Sequence, residues 1–300
     1  MTAKGAVHTR RPSASLRGFR RYAYMVWKQK RVAGAHLLLF IILVAALLAD
    51  FYPIDANRQN LFHHLKAPTL SHKEGEFPRL LGTDPLGRDL LSRLLQATRL
   101  SLVVGLLAVA VACGVGTLLG LLAGFVGGLL DHIVMRLADA LLALPFVVLA
   151  IAIVAAIGPS FANIIFVLGL TGWVTFAKLV RAEVLRIREM DHVEAARAIG
   201  CSRMRLLFVH VWPQVVGLVL VNITLTLGQM IIAEATLSFL GLGIPPPIST
   251  LGGILSDAQT YFFSAWWIVV FPGLFLVAIV LCVNLIGDYL RDYLDPRMKL

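Results

Sequence analysis

Residues 101–125, SLVVGLLAVAVACGVGTLLGLLAGF, contain no charged side chain in 25 consecutive positions. A helix that crosses the hydrocarbon core of a bilayer needs about 20 mostly apolar residues. This stretch of 25 residues is longer than that requirement. It therefore predicts a transmembrane helix and places the chain among integral membrane proteins.

The composition of the whole chain agrees with this interpretation. Of 300 residues, 58% are hydrophobic and 15% are charged, and the mean hydropathy is +0.82. A soluble domain carries about 25% charged residues. Much of the apolar surface must therefore face lipid.

Six apolar runs are long enough to cross a bilayer, which predicts an all-α polytopic membrane protein with six transmembrane helices. The runs are 33–51, 101–125, 133–157, 161–180, 215–239 and 266–287. The polar connections divide the chain into a basic tail (1–32), a first transmembrane helix (33–51), an extracytoplasmic segment (52–98), a core domain of five helices (99–290) with a basic loop (181–213), and a short C-terminal tail (291–300).

The distribution of basic residues predicts the orientation. Nine of the 27 Lys and Arg residues lie in the first 31 positions, without a single acid among them, and residues 181–213 carry six Arg. Cytoplasmic loops are enriched in Lys and Arg. We therefore expect both termini in the cytoplasm. The net charge of +10 follows from this topology, and no basic, aromatic-bearing fold indicates nucleic-acid binding.

The sequence offers no set of residues for catalysis or for binding a nucleotide or a metal. No Gly is followed by Lys, so the chain has no P-loop for ATP. Cys113, Cys201 and Cys282 are isolated from one another, and no His or Cys spacing fits a metal site. We expect no enzymatic activity and no cofactor in this chain, so uphill transport would need a partner or an ion gradient.

Two features of the second and third runs indicate close helix packing. Gly116, Gly120 and Gly124 recur every four residues and share one helix face. They would allow another backbone to approach closely, either within the chain or at a subunit interface. Arg136 and Asp139 are three residues apart on one helix and are predicted to form a structural ion pair. Pro145 in the third run and Pro272 in the sixth predict kinks.

The fifth run carries a polar stripe. Asn222, Thr226 and Gln229 lie at positions i, i+4 and i+7 of an otherwise apolar helix. Such a stripe either bonds neighbouring helices or lines a wet path. Glu234 follows on the same helix, and an intramembrane carboxylate is a candidate functional residue. These four residues are the candidate translocation path, although Glu234 could instead pair with Arg99 or a backbone cluster.

Residues 181–213 predict an amphipathic helix between two transmembrane helices. Its apolar residues fall roughly on one side: Val184, Ile187, Val193 and Ala196. Gly200 is placed to end the helix. A second short helix, about 202–211, is expected to stop at Pro213. Such a segment could lie on the membrane surface or place its apolar side in a protein groove.

This segment resembles the EAA loop of permease subunits of bacterial ABC importers, in both its residues and its place before the penultimate helix. In that family the loop forms the coupling helix that docks into a cleft on the ATPase subunit. The positions that the resemblance assigns to ATPase coupling are Glu183, Glu194, Ala195, Ala196, Gly200 and Pro213.

Further motifs are similar to the C-type subunit of the oligopeptide/dipeptide/nickel permease family. They are Leu81-Gly82-Thr83-Asp84 with Gly87-Arg88-Asp89 and Ser92-Arg93; Asp131, Arg136 and Asp139 with Leu144-Pro145; 237–243 with Pro245-Pro246; and Gly287-Asp288, 290–292 and Leu294-Asp295-Pro296. The resemblance covers nearly the whole chain from Lys30 onward. It implies the type I ABC importer permease fold.

The resemblance also implies a function. The chain would form a translocation path with a homologous permease, couple to two ABC ATPase subunits that bind ATP and Mg²⁺, and receive a peptide or related small solute from an extracytoplasmic solute-binding protein. It would reside in the bacterial inner membrane. An ion-coupled secondary carrier of peptides or metal ions is the alternative. A membrane scaffold and an intramembrane enzyme are further alternatives, and the sequence offers no nucleophile or metal set for the enzyme.

Overall fold

The computed structural model describes residues 29–69 and 78–294, whose regular elements are all helical. Most of the basic tail and the last six residues lie outside this range. The α-helices are α1 (Lys30–Leu47), α2 (Leu90–Val126), α3 (Gly128–Leu142), α4 (Phe146–Ile157), α5 (Phe161–Arg188), α6 (Asp191–Ala198), α7 (Arg203–Phe239), α8 (Leu251–Asp257) and α9 (Trp267–Leu294). Short 3₁₀ turns occupy Leu48–Phe51, Leu61–His63 and Gln259–Tyr261.

The third predicted transmembrane helix is not one helix. The run 133–157 is divided between α3 and α4, whose axes differ by 93°. Proline has no backbone N–H, and its ring clashes with the carbonyl four residues earlier, so a helix cannot pass through it unbroken. Pro145 lies at the break, and its own carbonyl accepts a hydrogen bond from the Leu149 amide (3.1 Å) as α4 begins. The kink expected at Pro145 is therefore a complete break.

The glycine face of α2 packs against α5 of the same chain. A Cβ atom on Gly120 would lie 2.6 Å from the Ala177 carbonyl oxygen, and one on Gly124 would lie 2.9 Å from the Val184 Cβ. A Cβ on Gly116 would meet the Trp173 carbonyl. Of the two interpretations of this face, packing within one chain is the one observed.

These contacts also show that α2 and α5 run in the same direction, because the residue numbers rise together along both helices. Arg188, at the end of α5, donates to the carbonyl of Gly124, near the end of α2 (3.3 Å). The chain must therefore return from the end of α2 to the start of α5 through α3 and α4. The broken pair thus serves as one crossing, which gives six crossings within the described residues.

The described ends of the chain lie at the same end of the molecule as residues 181–213. Val32 near the start of α1 packs against Tyr289 near the end of α9. Helix α9 runs antiparallel to α7, since Gly287 meets Thr224 and Gly228 meets Asn284.

Several helices extend beyond the apolar runs that predicted them. Helix α2 begins at Leu90 instead of about residue 101, because Asp89 caps it by accepting a hydrogen bond from the Ser92 amide (2.9 Å). Helix α5 continues to Arg188, eight residues past the predicted end. Both extensions carry charged residues out of the lipid-facing zone on continuous helix.

Pro213 does not stop a helix, contrary to the expectation from the sequence. Residues Leu206–Val211 form a π-helical segment within α7, and the Trp212 amide bonds to the Leu207 carbonyl five residues earlier. The wider turn of a π segment removes the requirement for the usual i−4 bond at this point. Pro213 then occupies the first turn of the following α segment, where its missing N–H costs little.

Candidate coupling surface and translocation path

Helix α6 is attached rigidly to the end of α5. Only Glu189 and Met190 separate the two helices, and the Met190 carbonyl accepts hydrogen bonds from the amides of Val193 (2.9 Å) and Glu194 (3.1 Å). Movement of α6 would therefore be transmitted directly to the membrane helix α5.

The predicted apolar side of this segment is confirmed as a face but turns inward. Val184, Ile187 and Val193 are fully buried, and Ala196 is 8% exposed, all within the largest core cluster. These residues fix α6 to its own chain, so they are not free to enter a groove on another protein. The surface left for a partner is the opposite side of α6, where Glu194 and Ala195 are exposed.

Gly200 ends α6 as the sequence predicted. Its φ of +85° lies in the left-handed region that favours glycine. Its amide bonds to the Arg197 carbonyl (3.0 Å), and the Cys201 amide bonds to the Ala196 carbonyl (3.1 Å). This is the paired hydrogen-bond pattern of a glycine helix terminus. The sharp turn leaves Ile199 87% exposed beside the exposed side of α6.

The remaining residues assigned to coupling lie on the flanking helices. Glu183 is on α5 and pairs with Arg186 one turn later, with Nε 3.0 Å from Oε2. Pro213 is on α7. The next residue, Gln214, donates to the His210 carbonyl (2.7 Å) and contacts His192 of α6. The start of α7 is therefore bonded to α6 by side chains as well as by the chain itself.

Two residues of the predicted polar stripe line a cavity of about 470 Å³ at the level of the α3–α4 break. Thr226 and Gln229 contribute from α7, while Thr171 and Thr175 contribute from α5. Asn222 does not line this cavity. The cavity wall thus combines four hydroxyl or amide side chains with an otherwise apolar lining, which suits a solute that has both polar and apolar parts.

Glu234 lies apart from that cavity and is fully buried. Its carboxylate accepts hydrogen bonds from the hydroxyls of Ser101 (3.0 Å) and Ser238 (2.7 Å), and Thr250 also hydrogen-bonds it. Ser101 Oγ in turn accepts from the Leu251 amide (3.2 Å). The group joins α2, α7 and the start of α8, which favours the structural interpretation of Glu234.

Two predicted ion pairs have other partners in the structure. Arg99 does not bond Glu234; it bonds both carboxylate oxygens of Asp50, at 2.6 and 3.1 Å. Asp139 accepts from Lys178 Nζ on α5 (2.7 Å) instead of from Arg136. Arg136 is not the partner because α3 packs against α5, which brings Lys178 of α5 next to Asp139 of α3.

The same helix contact carries a second, stronger pair. Asp131 accepts two hydrogen bonds from the guanidinium of Arg181, one of which joins Nη2 to Oδ2 over 2.6 Å. Such bidentate pairs fix geometry as well as charge. They attach the first half of the broken crossing to the helix that leads into α6.

The sequence reasoning missed a buried ionic cluster at the end of the molecule remote from α6. Asp84 accepts from Arg88 Nε (2.6 Å) and Arg93 Nη1 (2.5 Å), and Arg93 Nη2 reaches Ser249 Oγ (2.6 Å) and Asp257 Oδ2 (3.4 Å). Asp84, Arg88 and Arg93 belong to a motif of the resembled family. Ser249 and Asp257, which lie 156 and 164 positions after Arg93, have no local signal in the sequence.

Comparison with known proteins assigns the chain to a family. Residues 116–300 match the family model described as "Binding-protein-dependent transport system inner membrane component". The chain belongs to this family. It is therefore a multi-pass inner-membrane component of a transport system and not an enzyme.

Individual relatives agree. The chain is 41% identical over 271 residues to the Di/tripeptide transport system permease protein DppC of Pseudomonas aeruginosa, covering 90% of this chain and 89% of the relative. It is 38% identical over 269 residues to the Glutathione transport system permease protein GsiD of Pectobacterium atrosepticum, covering 89% and 87%. These matches confirm a permease of the peptide group of ABC importers.

The fold comparison gives the same class. A chain of the MetNI methionine ABC transporter in inward-facing conformations superposes with a TM-score of 0.53 at 21% identity, covering 69% of this chain and 96% of the other. This likeness shows the type I importer permease fold. The ion-coupled secondary carrier is not favoured by any of these matches.

Proposed function

We propose that this chain carries di- or oligopeptides, or related small solutes, through a path shared with a homologous permease. One of two ABC ATPase subunits would dock on the exposed side of α6, and the two ATPase subunits would bind the ATP and Mg²⁺. An extracytoplasmic solute-binding protein would deliver the cargo to the opposite end. The peptide cargo is supported by the names of the relatives, which include di/tripeptide and glutathione systems.

The observation that carries the proposal is the construction of α6. Its inward side is locked to the core by Val193 and Ala196, and its outward side presents Glu194, Ala195 and Ile199 without any cover from the described residues. A helix that only lay along its own chain would not need a solvent-facing apolar residue at its end. A rigid attachment on one side and an exposed surface on the other suit a part that transmits force from a partner.

The orientation follows as part of the proposal. Residues 181–213 would face the cytoplasm, where the ATPase subunits are. The described chain ends lie at the same end of the molecule, so both termini would be cytoplasmic. Residues 52–89 and the segment between α7 and α9 would then face the extracytoplasmic side, where the solute-binding protein arrives.

Access would alternate through movement of α5 and α7 on either side of the 470 Å³ cavity. ATP binding would draw the ATPase subunits together and displace α6. The two-residue link to α5 and the Gln214 contact to α7 would pass that displacement to both walls of the cavity. Thr226 and Gln229 would offer hydrogen bonds to the passing solute.

The first experiment is a pull-down of the tagged chain from detergent-solubilised membranes, with identification of the bound proteins and an ATPase assay. We expect a homologous permease and P-loop ATPases. Glu194→Ala should reduce recovery of the ATPases, because Glu194 lies on the proposed docking surface. Glu189→Ala is the matched control, since Glu189 is exposed nearby and pairs only with its neighbour Arg188 (2.9 Å) among the described residues.

A second variant combines Glu194→Ala with Gly200→Asp. The Asp side chain is strained at a φ of +85°, so the end of α6 should change direction. We expect uncoupled transport with normal membrane insertion. Wild-type uptake in this double variant, or a chain that purifies alone without ATPase activity, would contradict the proposal and return attention to a secondary carrier.

A further inference from the structure

A second cavity, of about 690 Å³, lies at the end of the molecule remote from α6. Ser238 near the end of α7 lines it, whereas Arg203 at the start of α7 adjoins α6. A helix rises about 1.5 Å per residue, so the two ends of α7 are roughly 50 Å apart. The outer cavity shares no lining residue with the candidate path at the α3–α4 break, so the two cavities are distinct.

Charged side chains of both signs form part of the outer cavity wall. Arg88 and Arg93 line it from the segment before and within α2, and Asp257 lines it from the end of α8. Arg88 Nη2 is 3.7 Å from Asp257 Oδ2, and Arg93 Nη2 is 3.4 Å from the same atom. Asp84, which neutralises one of the two arginines, is buried behind the wall.

Asp257 is the loosest member of this ionic group. Its side chain is 52% exposed, and its contacts to both arginines are longer than those made by Asp84. The arginines would keep their bonds to Asp84 if Asp257 turned away. A carboxylate of a ligand could then take the place of Asp257 against the guanidinium groups, because planar guanidinium matches a carboxylate closely.

One buried donor of the ionic group has no acceptor among the described residues. The Arg93 side chain is 3% exposed, and its Nε has no hydrogen-bond partner among the described residues. A buried, unpaired polar group is costly unless something else satisfies it. The remaining wall combines glycine and proline residues of 241–247 with larger side chains such as Ile244, Ile248 and Tyr261.

We propose that the outer cavity is a transit site for the charged ends of a zwitterionic peptide. The peptide carboxylate would bind Arg88 and Arg93, and the peptide ammonium would bind Asp257 with help from the Ser249 and Ser256 hydroxyls. This inference rests on the proposed peptide-import function. It adds that this chain itself recognises the terminal carboxylate and the terminal ammonium of the cargo. The proposed contacts are made to the two charged ends of the cargo, which all zwitterionic peptides share.

The test measures binding of radiolabelled dialanine to the full permease–ATPase complex in nanodiscs, without the solute-binding protein. N-acetyl-dialanine and dialanine amide each lack one terminal charge and should bind about tenfold more weakly, which is the loss expected for one charge-assisted contact. Asp257→Asn should lower the binding affinity for dialanine to that for N-acetyl-dialanine. The same variant should still discriminate against dialanine amide, because the arginines are intact.

The reciprocal variant is Arg88→Gln, which should reduce discrimination against dialanine amide and keep that against N-acetyl-dialanine. Glu189→Gln is the control. This carboxylate is exposed at the opposite end of the molecule, does not line the cavity and pairs only with Arg188 (2.9 Å) among the described residues, so its loss should leave binding of all three probes unchanged.

Equal binding of the three probes, or unchanged discrimination in both variants, would overturn the inference. Uptake of dialanine by the complex with its solute-binding protein is assayed alongside. Normal uptake combined with equal binding of the probes would overturn only the transit site. Failure to recover any ATPase or any uptake would instead overturn the proposed function.

Discussion

The side chains of His192 and Gln214 meet with their Nε2 atoms 3.0 Å apart, although one lies on α6 and the other at the start of the membrane portion of α7. Gln214 is oriented by a second bond from the same amide nitrogen to the His210 carbonyl (2.7 Å). An amide N–H donates, so His192 accepts. Helix α6 is thus linked to α7 by a contact that could not be predicted from the sequence.

We expect Gln214→Ala to lower the amount of solute transported per ATP hydrolysed, by about fivefold if the bond contributes about 1 kcal/mol to coupling. The measurement is uptake and ATPase activity in the same proteoliposomes. His192→Ala should have a similar effect, and the double variant should be no worse than either single one, because residues that share one contact are not additive. Additive losses would mean that the two residues act separately.

Gly120→Ala should destabilise the protein by about 1–3 kcal/mol, the usual effect of overpacking. The new methyl would lie 2.6 Å from the Ala177 carbonyl oxygen, where neither backbone has room to move. Thermal unfolding of the detergent-solubilised protein measures the change. Gly114→Ala on the same helix is the control, because no atom lies within 4 Å of its new methyl. Equal stability of the two variants would refute tight α2–α5 packing.

Replacement of Glu234 should affect assembly according to how many hydroxyls lose their acceptor. Glu234→Gln keeps one carbonyl oxygen and should assemble with modest loss. Glu234→Leu leaves the hydroxyls of Ser101, Ser238 and Thr250 without this partner, at about 1–3 kcal/mol for each one left unsatisfied. The yield of monodisperse complex after solubilisation is the readout. Full assembly of the Leu variant combined with lost transport would instead support a role in the path.

Reversal of the Asp131–Arg181 pair should show whether this contact holds the broken crossing in place. Arg181→Asp places two carboxylates together and should reduce uptake strongly. Adding Asp131→Arg should restore much of the loss, since the same bidentate geometry can form in reverse. Arg136→Ala is the control, because Arg136 makes no ion pair with Asp139 in the structure. A double variant as inactive as the single one would show that position 181 acts by other means.

Much of the membrane architecture could be predicted from apolar runs, because lipid imposes a simple length requirement on a helix. All six runs correspond to crossings, and Gly200 ended its helix as expected. The limits of the runs were less informative. Helix α2 starts at Leu90 because a capped helix can continue through polar residues such as Ser92 and Arg93 outside the hydrocarbon core.

Parts of the candidate site could also be predicted from the sequence, and other parts could not. The resemblance selected residues 181–213 as the proposed coupling segment, and the polar stripe located one wall of the inner cavity through Thr226 and Gln229. The partners of Asp139, Arg99 and Glu234 could not be predicted, because each is set by which helices pack together. Arg93 and Asp257, 164 positions apart, illustrate why: only the folded chain brings them to one wall.

The parallel arrangement of α2 and α5 also has a consequence for how the protein is made. Two helices that run the same way cannot pair as a hairpin, so α2 has to wait in the membrane until the next crossing is complete and α5 has emerged from the ribosome. During that interval the backbone beside Gly116, Gly120 and Gly124 lacks its permanent neighbour. Packing of α5 against α2 therefore depends on prior insertion of the bent pair α3 and α4. Substitutions at Pro145 should delay that insertion and lengthen the lifetime of a protease-sensitive form of the newly synthesised chain.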